Sequence, residues 1–123
     1  MDSAHPDEGE EWMEERIESW IETYKKAMLT PVVLRVVAIH QPVTVATLTT
    51  HLTAVTGWQI TERGLYRTVK RLTDIGYLTS RDVVAPRTGA KRKELTLSPL
   101  GDRFLAGVDA NLVDLPDQNM AAD

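Results

Sequence analysis

The sequence predicts a mainly α-helical domain with one small β-hairpin, and three observations support this fold class. Apolar residues recur at three- and four-residue steps over several segments, as they do on one face of a helix. Alternating apolar residues mark two short strands within residues 77–84 and 91–97, joined by a Gly-containing tip. Three residues that commonly cap helices precede helical segments, namely Thr44, Thr61 and Ser98. The predicted order is four helices, two strands and a last helix.

The first helix is predicted over residues 9–28, where an apolar stripe faces one way and glutamates face the other. Its apolar stripe consists of Met13, Ile17, Trp20, Ile21, Tyr24 and Met28, with Trp12 close by. A second helix is expected to begin at Thr30–Pro31, because proline is tolerated in the first turn of a helix. This helix is apolar nearly all round and should be the buried centre of the fold. It is expected to end before Gln41–Pro42.

A helix-turn-helix is predicted within residues 44–76. The third helix follows Thr44 and ends at Gly57, and the fourth follows Thr61 and ends at Gly76. Their predicted inner faces consist of Val45, Leu48, Leu52 and Val55, then Leu65, Val69, Leu72 and Ile75. The four-residue turn between them is typical of this motif, whose second helix can enter the major groove of DNA. The strands after Gly76 would add a wing, and Ser98–Pro99 would begin the last helix.

Charge is distributed very unevenly along the chain. The total is −4, but residues 1–24 carry −8, residues 25–105 carry +8 and residues 106–123 carry −4. From Arg63 to Lys93 there are nine basic residues and two acidic ones, a net of +7. The fourth helix and the hairpin therefore account for almost all the positive charge of the central part. This pattern favours a polyanion as the partner.

Several function classes find little support in the sequence. There is no cysteine, and the longest apolar run, residues 31–39, is interrupted by Arg35 and too short to span a bilayer. The first residues are acidic, unlike a signal peptide, so we expect a cytoplasmic protein without a membrane partner. His5, His40 and His51 are scattered, without metal-ligand spacing. No Gly-rich phosphate loop or nucleophile motif occurs. We therefore expect no catalytic residue, metal or cofactor, and no enzymatic activity.

The basic residues of the fourth helix and the hairpin tip form a candidate surface for double-stranded DNA. Arg63 and Arg67 lie one turn apart near the start of the helix, where an arginine can bond guanine O6 and N7. Phosphate contacts are expected from Thr61 at the helix start and from Tyr66, Lys70 and Arg71. The tip adds Arg87, Lys91, Arg92 and Lys93. The alternative is that these cations only solvate an exposed face, but a turn by itself does not need four of them.

Part of the chain resembles the PadR-like family of winged-helix transcriptional regulators. The resemblance is carried by the run from Gly64 to Leu72, by Gly76-Tyr77-Leu78, and by Leu97-Ser98-Pro99-Leu100-Gly101. It implies a dimer formed through terminal helices, repression at palindromic operators and release of DNA by a small molecule. The chain departs from the family pattern at Thr44-Val45-Ala46 and at Thr61-Glu62-Arg63-Gly64. These departures leave the operator sequence and the effector open, and the role of Glu62 as well.

The apolar stripe of the first helix is interpreted as a dimer interface that packs on the last helix of a partner. The predicted interface consists of Met13, Ile17, Trp20, Ile21, Tyr24 and Met28 with Phe104, Val108 and Leu112. The alternative is that the stripe packs on its own domain. A further hypothesis places Trp12 and Trp20 in a pocket for a small aromatic effector.

The resulting domain organisation has five parts. A disordered acidic end (1–8) precedes an N-terminal dimerisation helix (9–28) and a winged helix-turn-helix DNA-binding domain (29–98). A C-terminal helix (99–113) and a disordered tail (114–123) follow. The runner-up function is a winged-helix protein-interaction module that does not bind DNA.

Overall fold

The computed structural model describes residues 7–119 and has four helices and a three-stranded antiparallel sheet in that range. The elements in chain order are α1 (Asp7–His40), β1 (Val43–Thr44), α2 (Val45–Thr56), α3 (Glu62–Ile75), β2 (Leu78–Val84), β3 (Lys91–Leu97) and α4 (Pro99–Asp109). The predicted fold class, a mainly helical winged helix-turn-helix with extra terminal helices, is confirmed. Residues 1–6 and 120–123, assigned above to disordered ends, lie outside the described residues.

The first 34 residues of the described chain form one continuous helix, so the prediction of two helices divided near residue 29 was wrong. Pro31 lies inside α1 and is buried. Proline lacks an N–H and therefore removes one bond of the helical ladder, but the following turns are anchored by packing. Val33, Leu34 and Val37 are fully buried there. Tertiary burial thus keeps the helix continuous through Pro31, which the sequence alone indicates as the start of a new helix. The first residue of α1 also lies two positions earlier than predicted.

The caps of the helix-turn-helix are those that the sequence predicts. The Thr44 hydroxyl accepts a hydrogen bond from the Thr47 N–H at 3.3 Å, and the Thr61 hydroxyl accepts one from the Gly64 N–H at 3.0 Å. Gly57 and Gly76 end α2 and α3 with φ of +72° and +98°, a left-handed conformation that favours glycine. The turn that sets the direction of α3 relative to α2 is therefore determined by local backbone chemistry.

The sheet has the strand order β1-β3-β2, and its two-residue strand β1 was missed by the sequence analysis. Val43 and Thr44 pair with Leu95 and Glu94 of β3. Just before β1, the Gln41 side-chain oxygen accepts a hydrogen bond from the Leu97 N–H at 2.8 Å. A strand of two residues is too short to show an alternating pattern, so only its partner strand reveals it.

Ser98 joins three elements at the base of the wing. Its hydroxyl donates to the Gly76 carbonyl at 2.5 Å and accepts from the Gly101 N–H at 3.0 Å. Its own N–H donates to the Tyr77 carbonyl at 3.0 Å. Gly101 lies so close to that carbonyl that any side chain would collide with it. The segment Ser98-Pro99-Leu100-Gly101 therefore couples the end of α3 to the start of α4 through a buried polar contact.

The core lies between the second half of α1, the inner faces of α2 and α3, and the base of the sheet. Its fully buried side chains include Leu34, Leu48, Leu52, Leu72 and Leu95. Two residues expected on inner faces are outside this core, because Val55 is 67% exposed and Ile75 is 47% exposed. In both cases the apolar stripe extends one step past the part of the helix that the fold covers.

Helix α4 is shorter than predicted, and part of it packs on the core. Gly101 and Leu105 are buried, with Phe104 half-buried beside them, whereas Leu100 is exposed. The helix ends at Asp109 instead of continuing to residue 113. The Asn111 side-chain N–H donates to the Gly107 carbonyl at 2.8 Å, which satisfies an acceptor that another helical turn would have used. Leu112 therefore lies beyond the end of α4.

Candidate nucleic-acid interface

Helix α3 places its arginines opposite its core face. Leu65, Val69 and Leu72 are buried, and at 100° per residue Arg63 and Arg67 lie on the other side of the helix. Both arginines are exposed, and neither forms an ion pair with another residue of the described range. The structure thus presents the two predicted base-reading residues side by side, one helical turn apart.

The next two cations of α3 already have partners within the protein. The Lys70 ammonium forms an exposed ion pair with Asp74 at 2.9 Å, and Arg71 donates to the Thr30 hydroxyl of α1 at 3.4 Å. Lys70 therefore brings less net charge to the surface than its position suggests, and Arg71 is directed toward α1. The sequence analysis predicted neither of these contacts.

The start of α3 combines a cap with an acidic residue. The Thr61 hydroxyl accepts a hydrogen bond from the Gly64 N–H. A phosphate bound at the start of α3 would therefore share this hydroxyl with the capping hydrogen bond. Glu62 is exposed in the first turn, where a negative charge is favourable beside the unpaired N–H groups of a helix N-terminus. This gives Glu62 a structural role that does not require a base contact.

The strand register divides the cations of the wing between two faces of the hairpin. Lys93 lies across from Asp82, and Leu95 lies across from Ser80. Because side chains alternate, Lys91 and Lys93 share the face of Leu95, which packs into the core beside α3. Lys93 forms no ion pair with Asp82 or with any other described residue. Two of the four predicted wing cations are therefore on the side of α3.

Arg92 lies on the opposite face of the hairpin. It shares that face with Arg81 and Glu94, which form an ion pair at 3.6 Å. Arg87 is in the tip between β2 and β3, and Gly89 allows the tip to turn with a φ of +69°. The cluster read from the sequence as one basic tip is thus three separate positions: the α3 side, the far side and the end.

A groove of about 490 Å³ separates α3 from the sheet. Its lining residues are Val45, Tyr66, Arg67, Val69, Lys70, Thr73, Asp74, Ser80, Lys93 and Leu95. Arg67 of the helix and Lys93 of the wing therefore lie around the same depression. The sequence analysis missed the contributions of Val45, Thr73 and Ser80, because only the folded sheet brings them beside α3.

The first half of α1 is exposed in the single chain. Trp12 and Trp20 are 58% and 65% exposed, and the other members of the stripe up to Tyr24 are also exposed. The rings of Trp20 and Tyr24 stack with centroids 5.2 Å apart, and the Arg16 guanidinium lies 5.5 Å from the Trp12 ring centroid. The alternative in which this stripe packs on its own domain does not occur in the described chain.

Other members of the predicted dimer interface are engaged differently. Met28 and Val108 are half-buried, and Leu112 is exposed beyond the end of α4. Phe104 stacks on Tyr77 of the same chain, with ring centroids 4.7 Å apart, and packs against the core. Its ring therefore has a partner within the protomer and is not an open docking residue.

Two histidines that looked unrelated in the sequence are adjacent in the fold. The rings of His40 and His51 stack nearly parallel with centroids 3.6 Å apart. Parallel stacked rings do not direct their nitrogens at a common point, so this arrangement is unsuited to holding a metal. Within residues 7–119, no group of three or more His, Cys, Asp or Glu residues could hold a metal ion. None of the described helices is both long and apolar enough to cross a membrane.

Two solved structures share this architecture. PadR of Bacillus subtilis, solved in complex with operator DNA, matches with a TM-score of 0.62 and 21% identity over 77% of this chain. A PadR-like transcription factor from Bacteroides fragilis matches with a TM-score of 0.62 and 22% identity over 75% of this chain. The fold is that of PadR-family regulators. No protein-family model and no curated protein matches the sequence.

The shared region differs in extent between the two structures. It covers 86% of the Bacteroides fragilis chain but only 55% of the Bacillus subtilis chain. This shared architecture confirms the winged-helix fold that the resemblance implied.

Proposed function

We propose that this protein is a cytoplasmic, sequence-specific transcription regulator that binds double-stranded DNA as a homodimer and acts as a repressor. The observation that carries the proposal is the convergence of Arg67 on α3 and Lys93 on β3 around one groove. A cation of the helix and a cation of the wing thus line the same depression. The proposal is supported by the shared fold, since the Bacillus subtilis PadR structure contains operator DNA.

In the proposed mechanism α3 enters the major groove and Arg63 and Arg67 read base edges. Each arginine can make two hydrogen bonds to guanine, a contact that discriminates against other bases. Lys91 and Lys93 then neutralise DNA phosphates beside the major groove. Arg87 at the tip adds a further contact to the DNA. Lys70 and Arg71 contribute less, because each already has a partner in the protein.

Dimerisation is proposed through the exposed half of α1. An uncovered aromatic stripe in a small monomer is a common mark of an interaction site. A two-fold dimer would present two copies of α3 to successive major grooves, which requires an operator with matching symmetry. In such a dimer Trp12 and Trp20 would lie at the interface, where we propose that a small aromatic effector binds and releases the DNA.

The test begins with selection of bound duplexes from a random pool, followed by titrations with a selected duplex and a scrambled one at several salt concentrations. Arg63→Ala and Arg67→Ala should each reduce the discrimination between the two duplexes by about 1–3 kcal/mol. Lys91→Ala should weaken both equally and reduce the slope of log affinity against log salt by about one.

Arg103→Ala is the matched control, because it removes one exposed arginine from α4. Equal losses on both duplexes for Arg63→Ala, Arg67→Ala and Lys91→Ala would refute the division between reading and positioning residues. Negligible affinity for random duplex at low salt would instead favour a protein-interaction module, since nonspecific DNA binding depends mainly on counterion release.

A further inference from the structure

We propose that a cleft beside the helix-turn-helix binds a phosphate of the DNA backbone through Lys25 and Lys26 of α1. The inference rests on the proposed function and extends the DNA-contacting surface beyond α3 and the wing. Neither lysine was predicted to contact DNA, because both lie in the first helix, far from α3 in the sequence.

The cleft lies between the middle of α1 and the turn that joins α2 to α3, and its volume is about 600 Å³. Leu29 of α1 and Ile60 of the turn pack against the core, so the fold holds both walls in place. Lys26 is exposed and Lys25 is half-buried. The full lining consists of Glu22, Lys25, Lys26, Leu29, Gly57, Trp58, Gln59 and Ile60.

The two lysines give the cleft a positive charge that the protein itself does not use. Neither Lys25 nor Lys26 forms an ion pair with any described residue, although Glu22 is about one helical turn away. Two lysines and one glutamate leave a net charge of +1 among the lining residues. By contrast, Arg35, further along α1, is already paired with Asp109. The cleft therefore retains cations for an external anion.

The turn side of the cleft adds backbone donors. The N–H groups of Gln59 and Ile60 form no hydrogen bond with a described residue, whereas the Trp58 N–H donates to the Thr56 hydroxyl at 3.0 Å. Backbone N–H groups, like lysines, are common partners of phosphate oxygens in protein–DNA complexes. The lining thus includes both charged and neutral donors suited to one phosphate.

The cleft lies next to the end of α3 that enters the major groove in the proposed mechanism. Its turn residues directly precede Thr61, which caps α3, and Arg63 follows in the first turn. Four residues after Lys26, Thr30 accepts a hydrogen bond from Arg71 of α3 at 3.4 Å, so this face of α1 lies alongside α3. A helix that enters the groove by its N-terminal end brings the preceding turn to the backbone at the groove edge. A phosphate there would meet the two lysines.

Salt titrations test the charge contribution of the cleft. Lys26→Gln should weaken binding to the selected and the scrambled duplex by the same factor, roughly three- to tenfold, because a phosphate carries no sequence information. Adding Lys25→Gln should bring the decrease in the slope of log affinity against log salt to about one. Arg103→Gln, which removes an exposed cation from α4, is the matched control for Lys26→Gln and should change neither quantity. Unchanged affinity and slope in the double lysine variant would overturn the proposal.

Glu22→Gln tests the same cleft with the opposite sign. It should strengthen binding to both duplexes roughly twofold, because it removes a negative charge beside the bound phosphate. Glu10→Gln is the control, since it lies twelve residues earlier in α1, about 18 Å along the helix and beyond the Debye length. Equal effects of the two changes would contradict the placement of a phosphate in the cleft. Thermal unfolding verifies that each variant retains the fold.

The decisive experiment replaces single phosphates of the selected duplex with neutral methylphosphonates. With the wild-type chain, one substitution at the groove edge should weaken binding roughly three- to tenfold through loss of the cleft contact. The Lys25→Gln, Lys26→Gln double variant should be insensitive to that substitution but should stay sensitive to those at phosphates bound by the wing. The same sensitivity profile in both proteins would refute the cleft contact and leave the proposed function standing. Failure to bind any duplex would refute the proposed function and this inference with it.

Discussion

The two halves of α1 both have apolar residues at helical spacing but lie in opposite environments. In the second half, Val33, Leu34 and Val37 are fully buried against α2, α4 and the sheet. In the first half, Trp12, Trp20 and their neighbours are exposed, although they also recur at helical spacing. Both belong to one unbroken helix of 34 residues. Periodicity therefore indicates which face of a helix is apolar, but it does not indicate what covers that face.

The two halves also differ in the charge of the opposite face. Glutamates dominate the first half, whereas Arg35 is the one charged residue between Pro31 and Ile39. An acidic, aromatic half that projects from a buried half suits contact with another chain. Three changes test this difference, in order of decreasing effect.

The largest effect is expected in the buried half, for Leu34→Ala. This change removes a fully buried side chain and leaves a cavity, which should reduce the free energy of unfolding by about 2–5 kcal/mol. Ile39→Ala is the control, because Ile39 lies on the same helix but is 65% exposed and should change stability by less than about 0.5 kcal/mol. Urea unfolding measures both. Equal losses would mean that the two positions are not packed as the structure shows.

An intermediate effect is expected in the exposed half, for Ile17→Asp. A charge in the stripe should raise the dimer dissociation constant at least tenfold, about 1.4 kcal/mol, because the new carboxylate would be buried in the interface without a partner. The helical content should stay unchanged, since Ile17 is half exposed in the single chain. Sedimentation analysis over a range of concentrations measures the constant. Glu15→Gln, on the glutamate side, serves as the control. A wild-type chain that stays monomeric at high concentration would refute dimerisation by this stripe.

The smallest effect is expected where the buried half reaches solvent, at the ion pair of Arg35 with Asp109 of α4. Both side chains are 49% exposed, so solvent screens their attraction. A double-mutant cycle with Arg35→Gln and Asp109→Asn should give a coupling of about 0.2–1 kcal/mol. This coupling should decrease in high salt. A larger, salt-independent coupling would show that the pair is effectively buried.

Local chemistry made much of the fold predictable from the sequence. Thr44, Thr61 and Ser98 each cap the helix that follows, and Gly57 and Gly76 each end the preceding one. These features depend on residues within four positions of one another, so a single sequence contains all the information. The same is true of β3, which spans Lys91–Leu97 as predicted. The DNA-reading assignment of Arg63 and Arg67 stays a prediction, although both arginines occupy the outward face.

Features that depend on distant residues were missed. The continuity of α1 through Pro31 depends on burial against other elements, and β1 exists only because β3 pairs with it. The stacking of His40 on His51 joins two helices across a turn. At the candidate interface, strand register separates Arg92 from Lys93, which adjacent positions in sequence cannot reveal by themselves. Tertiary context decided each of these outcomes.

The continuity of α1 has a mechanical consequence. At 1.5 Å per residue the helix is about 50 Å long, and it continues without a break from its exposed half to its buried half. Its buried half packs on α2 and, through the Thr30–Arg71 contact, touches α3. In an assembly built on the exposed half, a change in the angle at which two such helices cross would therefore alter the spacing of the two α3 helices.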